Sequence, residues 1–244
     1  MSDEDQLYHD FSIEGEVLFL DKPLNWTSFD VVKKVRALFD VRKVGHAGAL
    51  DPNATGLLIV CTGKQTKCIE QFVGLEKEYT GTCKLGERTP SFDTETAANE
   101  WRDFSAVTEH QIRETARTFV GKQRQQPPMY SAVKYGGKPL YKYARVGRTV
   151  ERVEREIDVS CFEISTIQNQ YIDFCIVCSK GTYIRSLIDE FGLKLGCGAT
   201  LTALRRTRIG DHRVSKAMTI DQLIDWRNTI SITNQSYHEV GSTN

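Results

Sequence analysis

With 244 residues, 40% of them hydrophobic, the chain is long enough for one large domain or two small ones around a sizeable core. Its 32 basic and 32 acidic side chains cancel, so no global positive charge announces a nucleic-acid partner, and the acidic, polar start excludes a signal peptide. No apolar run approaches the length of a membrane span, and seven cysteines without a secretory context point to free thiols in a cytoplasmic protein.

The charge is unevenly spread. Residues 1–16 hold six acids and no Lys or Arg, and residues 1–14 read as a disordered acidic lead-in. Gly15 to Leu20 reads as a first strand, ended by Asp21-Lys22-Pro23. Thr27 and Asp30 have the spacing of a capping box, so a helix opens there. Its buried stripe is Val31, Val32, Val35, Leu38 and Phe39.

Residues 45–56 read GHAGALDPNATG. Three glycines allow backbone angles that other residues resist, and Asp51 is the only acid in the segment. Pro52 pushes Asp51 toward an extended conformation. A loop of this kind, on the lip of the apolar run Leu57 to Thr62, can hold one reactive side chain rigidly; it can equally be a turn in which Asp51 bonds nearby amides. Gly63-Lys64 is no phosphate loop, because the spacing is wrong and Gln65 stands where Ser or Thr would bind magnesium.

A short helix is expected over Thr66–Phe72 and a strand over Glu78–Leu85. Residues 87–114 carry seven acids against three basic residues and should face away from RNA. Thr108 and Gln111 open a helix with the stripe Ile112, Ala116, Phe119 and Val120, stopped by Gly121.

Residues 122–150 are rich in loops, with Pro127-Pro128 and Gly136-Gly137 breaking regular structure. Tyr130, Tyr135, Tyr141 and Tyr143 interleave with Lys134, Lys138, Lys142, Arg145 and Arg148. Cations pair with phosphates and rings stack on bases, so the segment suits looped or single-stranded nucleic acid, or is an ordinary exposed loop.

Strands follow near Glu156–Ile164 and Tyr171–Cys178. Cys175 and Cys178 face opposite sides of the second strand and complete no metal site. The next helix buries Ile184, Leu187, Ile188, Phe191 and Leu195. Arg185 lies in its first turn, at the positive end of the helix dipole, and either meets a carboxylate or phosphate there or is a solvated arginine. A last strand is expected over Leu201–Ile209, a closing helix over Thr219–Trp226, and a flexible tail over 229–244. Uneven alternation with hairpin-like pairs favours an α+β fold with a mixed, mostly antiparallel sheet and flanking helices, occupying residues 15–228 as one domain.

The 45–56 segment closely resembles the catalytic motif of the TruB-type tRNA pseudouridine synthases, G-H-x-G-x-L-D-P-x-A-x-G, at every fixed position. Four more blocks resemble that family in the same order: LDKP at 20–23, KEY at 77–79, PPMYSAVKYGGKPLYKYAR at 127–145, and SKGTYIRSLIDEFG followed by LRR over 179–206. The resemblance covers roughly residues 15 to 227. It implies the pseudouridine synthase fold, with 122–150 as an RNA-binding insertion, and isomerisation of a uridine in the tRNA T-loop, position 55. It also implies that Asp51 is the reacting carboxylate, by attack at C1′, attack at C6, or a glycal route. Tyr79 matches the active-site tyrosine and Arg185 the arginine paired with the aspartate. His46 matches a residue that opens the T-loop, and Tyr183 and Leu204 match pocket positions. Asp93 matches a polar pocket position, although relatives often carry Asp where Pro90 sits and Gly where Thr96 sits. Lys22, Lys134 and Lys142 are further candidates for contact with tRNA. Fewer than twenty residues follow Trp226, too few for the PUA domain that many relatives add.

The reaction needs no metal, cofactor or phosphate donor, and a monomer acting on the T-arm of tRNA is expected. Two other readings stay open: a uridine N-glycosidase using Asp51, which would need a second carboxylate as general acid, and a non-catalytic RNA-binding or RNA-folding module.

Overall fold

The computed structural model describes residues 11–240, with side chains as far as residue 230. It resolves into two compact units: one formed by the N-terminal segment to Gly74 and the return from Thr207, the other by Leu75–Arg206. Residues 15–228, expected as one domain, are distributed over both.

The first unit begins with β1 (Val17–Lys22), α1 (Ser28–Phe39), β2 (Val44–Ala47), β3 (Ala54–Thr62), a 3-10 turn (Gly63–Cys68) and α2 (Ile69–Gly74). The expected capping box is present: the Thr27 side chain accepts the Asp30 N–H, and the Asp30 carboxylate accepts the Thr27 N–H. Asp40, with φ 49°, ends α1 in the left-handed conformation. Both β1 and β2 pair antiparallel with β3, aligning Lys22 with Gly56 and His46 with Val60. β3 is buried at every position but Thr55, which fits its unbroken apolar run. The first strand therefore extends past the expected stop and includes Lys22. Residues 45–47 belong to a strand, which shortens the Gly-rich loop to 48–53.

The second unit contains β4 (Lys77–Leu85), β5 (Glu87–Arg88), β6 (Glu100–Trp101), α3 (Glu109–Arg117), β7 (Gly121–Gln125), β8 (Lys134–Tyr135), β9 (Lys138–Pro139), α4 (Leu140–Ala144), β10 (Arg155–Gln168), β11 (Tyr171–Cys178) and α5 (Ile184–Lys194). β12 (Ala199–Ile209) carries the chain out of it. Within this unit the strand order is β12-β4-β11-β10-β7, and the β4–β11, β11–β10 and β10–β7 registers are all antiparallel. Parallel pairing occurs as isolated bridges, such as Asp93 with Leu201. β7 was not foreseen, because Gly121–Gln125 is almost wholly polar; it is an outer strand, paired only with β10 among the described strands.

After β12 the chain forms β13 (His212–Arg213) and α6 (Ile220–Val240) in the first unit. There Phe11, Leu18, Leu20, Val31, Val35, Val41, Leu58, Val60, Ile220 and Leu223 form one buried cluster. Phe11 stacks on Phe39 with ring centroids 4.0 Å apart, so residues 11–14 are tied to the core rather than belonging to a loose lead-in; residues 1–10 lie outside the described part. The closing helix runs past Trp226 to Val240, since neither Gly nor Pro interrupts the sequence before Gly241. The stretch 229–240, expected as a flexible tail, is thus helical, and 241–244 lie outside the described residues.

The architecture is α+β, with antiparallel ladders and flanking helices. Among the described residues no helix is long and apolar enough to cross a membrane. All seven cysteines are free thiols. Burial pushes those of Cys61 and Cys178 up to about 11 and that of Cys83 to about 12, so these sulfurs remain protonated and unreactive.

Candidate active site

In the first unit the loop from Gly48 to Asn53 is fixed from below. Gly48 takes φ 83°, a value that an L-residue rarely adopts and that lets the chain leave β2 sharply. The Asp51 carbonyl accepts the Ala54 N–H at 3.0 Å and closes the turn into β3. The Ser28 hydroxyl sits against both backbone groups of Leu50, 2.8 Å from its N and 3.3 Å from its O. The Pro52 carbonyl accepts the Asn25 N–H at 2.9 Å and lies 3.4 Å from the Lys22 ammonium. Asp51 itself is half-buried between these two anchors, and His46 is half-buried on β2.

Lys22 is 0% exposed. Its ammonium also donates to the carbonyls of Pro23 and Trp26. Lys22, expected among the substrate-contacting residues, is buried here with its ammonium turned to backbone carbonyls, one of them on the loop that carries Asp51.

In the second unit Arg185 is the centre of a buried polar cluster. It is 3% exposed, and its guanidinium donates to the Ser91 carbonyl at 3.0 Å and the Tyr130 carbonyl at 2.8 Å. Its Nε lies 3.7 Å from Oδ2 of Asp93, which is 4% exposed. A carboxylate partner for Arg185, one of the two readings, is thus supplied within this unit by Asp93. Phe92 holds φ 66°, strained for a bulky residue, and this bend separates the Ser91 carbonyl from the Asp93 side chain that both meet Arg185. The strain is locked by neighbours: the Thr89 hydroxyl donates to the Asp93 carbonyl, the Phe92 carbonyl accepts the Leu201 N–H, and the Asp93 carboxylate accepts the Glu95 N–H. Thr96 is tied to Ser91 through hydroxyl and backbone bonds of 2.8–3.2 Å.

Tyr183 is fixed at its backbone by Gln125, which is 1% exposed. The Gln125 amide accepts the Tyr183 N–H at 2.8 Å and donates to the Tyr183 carbonyl at 3.0 Å. The Arg155 guanidinium lies 5.3 Å from the centre of the Tyr183 ring. Sequence reasoning missed Gln125, Arg155 and Ser28, because the groups they meet lie far along the chain, and Thr96, whose bonds to nearby Ser91 depend on the bend at Phe92. Tyr79 is buried on β4 beside Ile176 of β11, and Leu204 is half-buried on β12.

The 122–150 segment is more ordered than a plain loop. β8 and β9 pair, Leu140 and Tyr141 donate backbone bonds to Val133 and Ser131, and Tyr143 packs edge-on to Tyr135. Arg145 and Arg148 lie over the rings of Tyr141 and Tyr143, and Arg145 pairs with Glu95 at 3.0 Å. Lys134, Lys138 and Lys142 are exposed. The structure thus places Lys22, His46 and Asp51 in one unit and Tyr79, Asp93, Lys134, Lys142, Tyr183, Arg185 and Leu204 in the other.

Residues 36–184 match the TruB family pseudouridylate synthase N-terminal domain, and residues 185–237 match the tRNA pseudouridylate synthase B C-terminal domain. The chain is 48% identical over 217 residues to the tRNA pseudouridine synthase B of Chloroherpeton thalassium, covering 87% of this chain and 90% of that protein. It is 44% identical to the protein of the same name from Parabacteroides distasonis, covering 88% and 94%. Among solved structures it resembles a chain of a Cbf5-Nop10-Gar1 complex, with a TM-score of 0.68 and 31% identity over 86% of this chain; it spans about half, 53%, of that chain. The protein belongs to the TruB family of pseudouridylate synthases, isomerases that convert uridine to pseudouridine in tRNA.

Proposed function

We propose that the protein acts on the T-loop uridine at position 55 of tRNA, with Asp51 as the reacting carboxylate. The observation that carries this reading is the mounting of Asp51: the only acid of the Gly-rich segment, half-buried on a loop pinned by Ser28, Asn25 and buried Lys22. A carboxylate carried on a backbone held this firmly needs little reorganisation of its loop when charge develops on the sugar or the base. In the reaction the C1′–N1 bond breaks, the base turns, and C1′ joins C5; N1 gains a proton and C5 loses one. Tyr79 is proposed to stack on the base and assist the proton transfer. Arg185, held in its cluster with Asp93, is proposed to balance negative charge. Tyr183, Leu204 and His46 are proposed to accommodate the flipped nucleotide.

A stacked base must leave its loop to be reached, at a cost of a few kcal/mol. The 122–150 hairpin, with exposed Lys134, Lys138 and Lys142 and ordered tyrosines, is proposed to grip the T-arm and offset that cost. Seven free thiols suit a reducing compartment, and we propose a cytoplasmic monomer. The test is to incubate the protein with an unmodified tRNA transcript and map pseudouridine along it. Pseudouridine at position 55 is expected. Free uracil would instead indicate glycosidase chemistry, and binding without any modified base an RNA-folding module.

A further inference from the structure

Ser131 is 5% exposed, and its hydroxyl is one of the few buried side-chain polar atoms with no hydrogen-bond partner among the described residues. Its backbone is held firmly: the Ser131 carbonyl accepts the Tyr141 N–H at 3.1 Å, and two residues on the Val133 carbonyl accepts the Leu140 N–H at 2.7 Å. On its other side the Tyr130 carbonyl accepts from Arg185 at 2.8 Å. The hydroxyl therefore belongs to a rigid segment bonded directly to the buried Arg185–Asp93 cluster.

A buried hydroxyl that finds no partner destabilises a fold, because it has given up its hydrogen bonds to water. Alanine would fill nearly the same space without that cost, so folding alone does not explain a serine here. Buried polar groups left unmatched in the resting protein are a signature of a site completed by its ligand. The ligand that reaches this depth is a base rather than a backbone phosphate, since an extruded nucleotide inserts its base and leaves its phosphates near solvent. Flipped bases are read by hydrogen bonds to their Watson–Crick edge. Uracil offers two carbonyl acceptors and one N–H donor there, and a serine hydroxyl can serve either.

We infer that the Ser131 hydroxyl is a substrate-binding group that hydrogen-bonds the Watson–Crick edge of the target uracil. This rests on the reading that the protein isomerises a flipped uridine. It separates base recognition, by Ser131, from the grip on the surrounding RNA by the exposed lysines of the same segment.

The experiment compares wild type, Ser131→Ala and Ser131→Cys on an unmodified tRNA transcript. It reads thermal midpoint, tRNA Kd, and single-turnover pseudouridine formation at saturating enzyme. Ser131→Ala should keep or raise the thermal midpoint, leave Kd within about threefold, and slow the single-turnover step at least tenfold. Ser131→Cys, nearly isosteric with a weak donor, should fall between the two in rate. An unchanged rate in Ser131→Ala would overturn the inference. So would a lower thermal midpoint or loss of folding, which would show the hydroxyl satisfied within the protein, for instance by a structural water. If wild type itself forms no pseudouridine, the function reading fails, and that outcome is read independently of the variants.

Discussion

At the scale of single residues, the chemistry and the support of the chemistry separate cleanly. Asp51→Asn preserves shape and the backbone anchors but removes the carboxylate charge. It is expected to lower single-turnover pseudouridine formation by at least about 10³-fold, a loss in the range of removed catalytic groups, while tRNA Kd stays within several-fold. Near wild-type turnover would rule out Asp51 as the reacting group. Lys22→Met removes a buried ammonium bonded to backbone carbonyls and should lower stability by about 3 kcal/mol, read as a drop in denaturant midpoint. Glu190 gives a pH-dependent prediction. Burial first, then the nearby charges of Asp189 and Glu154, push its carboxyl up to about 7. The fold therefore disfavours the charged form, and stability falls as pH rises from about 4.5 toward 7. The full shift would correspond to about 3 kcal/mol; partial exposure screens it, so Glu190→Gln should gain about 1 kcal/mol at pH 8. The gain should fade as pH approaches 4.5, and equal gains at both ends would refute it.

At the scale of elements, the hairpin of β8 and β9 with α4 is the part proposed to grip the RNA. Its arginines are partly engaged already, by tyrosine rings and by Glu95, whereas Lys134 and Lys142 project from it as exposed cations. Binding through phosphate contacts weakens linearly with the logarithm of salt concentration, by a little under one unit of slope per contact. The double variant Lys134→Ala with Lys142→Ala should weaken tRNA binding and flatten that slope by about 1–2 units, with little effect on the rate at saturating tRNA. An unchanged slope in a salt series would show that these lysines do not grip the RNA.

At a larger scale, early and late segments of the described residues share the core of the first unit. Phe11 from the start and Leu223 from α6 lie in the same buried cluster, with Val31 and Val35 of α1 and Leu58 and Val60 of β3. Leu223 is fully buried, so Leu223→Ala should cost about 2–5 kcal/mol, read in equilibrium unfolding. A loss below 1 kcal/mol would mean that α6 is not part of the cooperative core. The zero net charge conceals a local arrangement: the basic interval 134–155 follows the acidic stretch 87–114, and Arg145 with Glu95 directly joins the two.

Sequence alone pointed to the family through its motif blocks, and to the α+β class, most of the helices and the longer strands through local signals; the short strands, β2, β5 to β9 and β13, went unread. The capping boxes at Thr27 and Thr108, the apolar run of β3 and the alternation in β11 all act over a few residues. Resemblance to the family motif singled out Asp51, which the loop by itself left open as a plain turn residue, and the same resemblance joined the helix-start argument in singling out Arg185. Tertiary structure decided what surrounds them. Lys22 stood in the sequence as a residue ending a strand and a candidate for contact with tRNA, and only the approach of Pro52 from thirty residues away shows it tied to the loop after Asp51. Asp93 became the neighbour of Arg185 through a strained bend at Phe92 and contacts to Ser91 and Leu201. Gln125 lies 58 residues from the Tyr183 it holds. Such partners are distant in sequence, and no local pattern encodes a hydrogen bond that exists only once the sheet has formed.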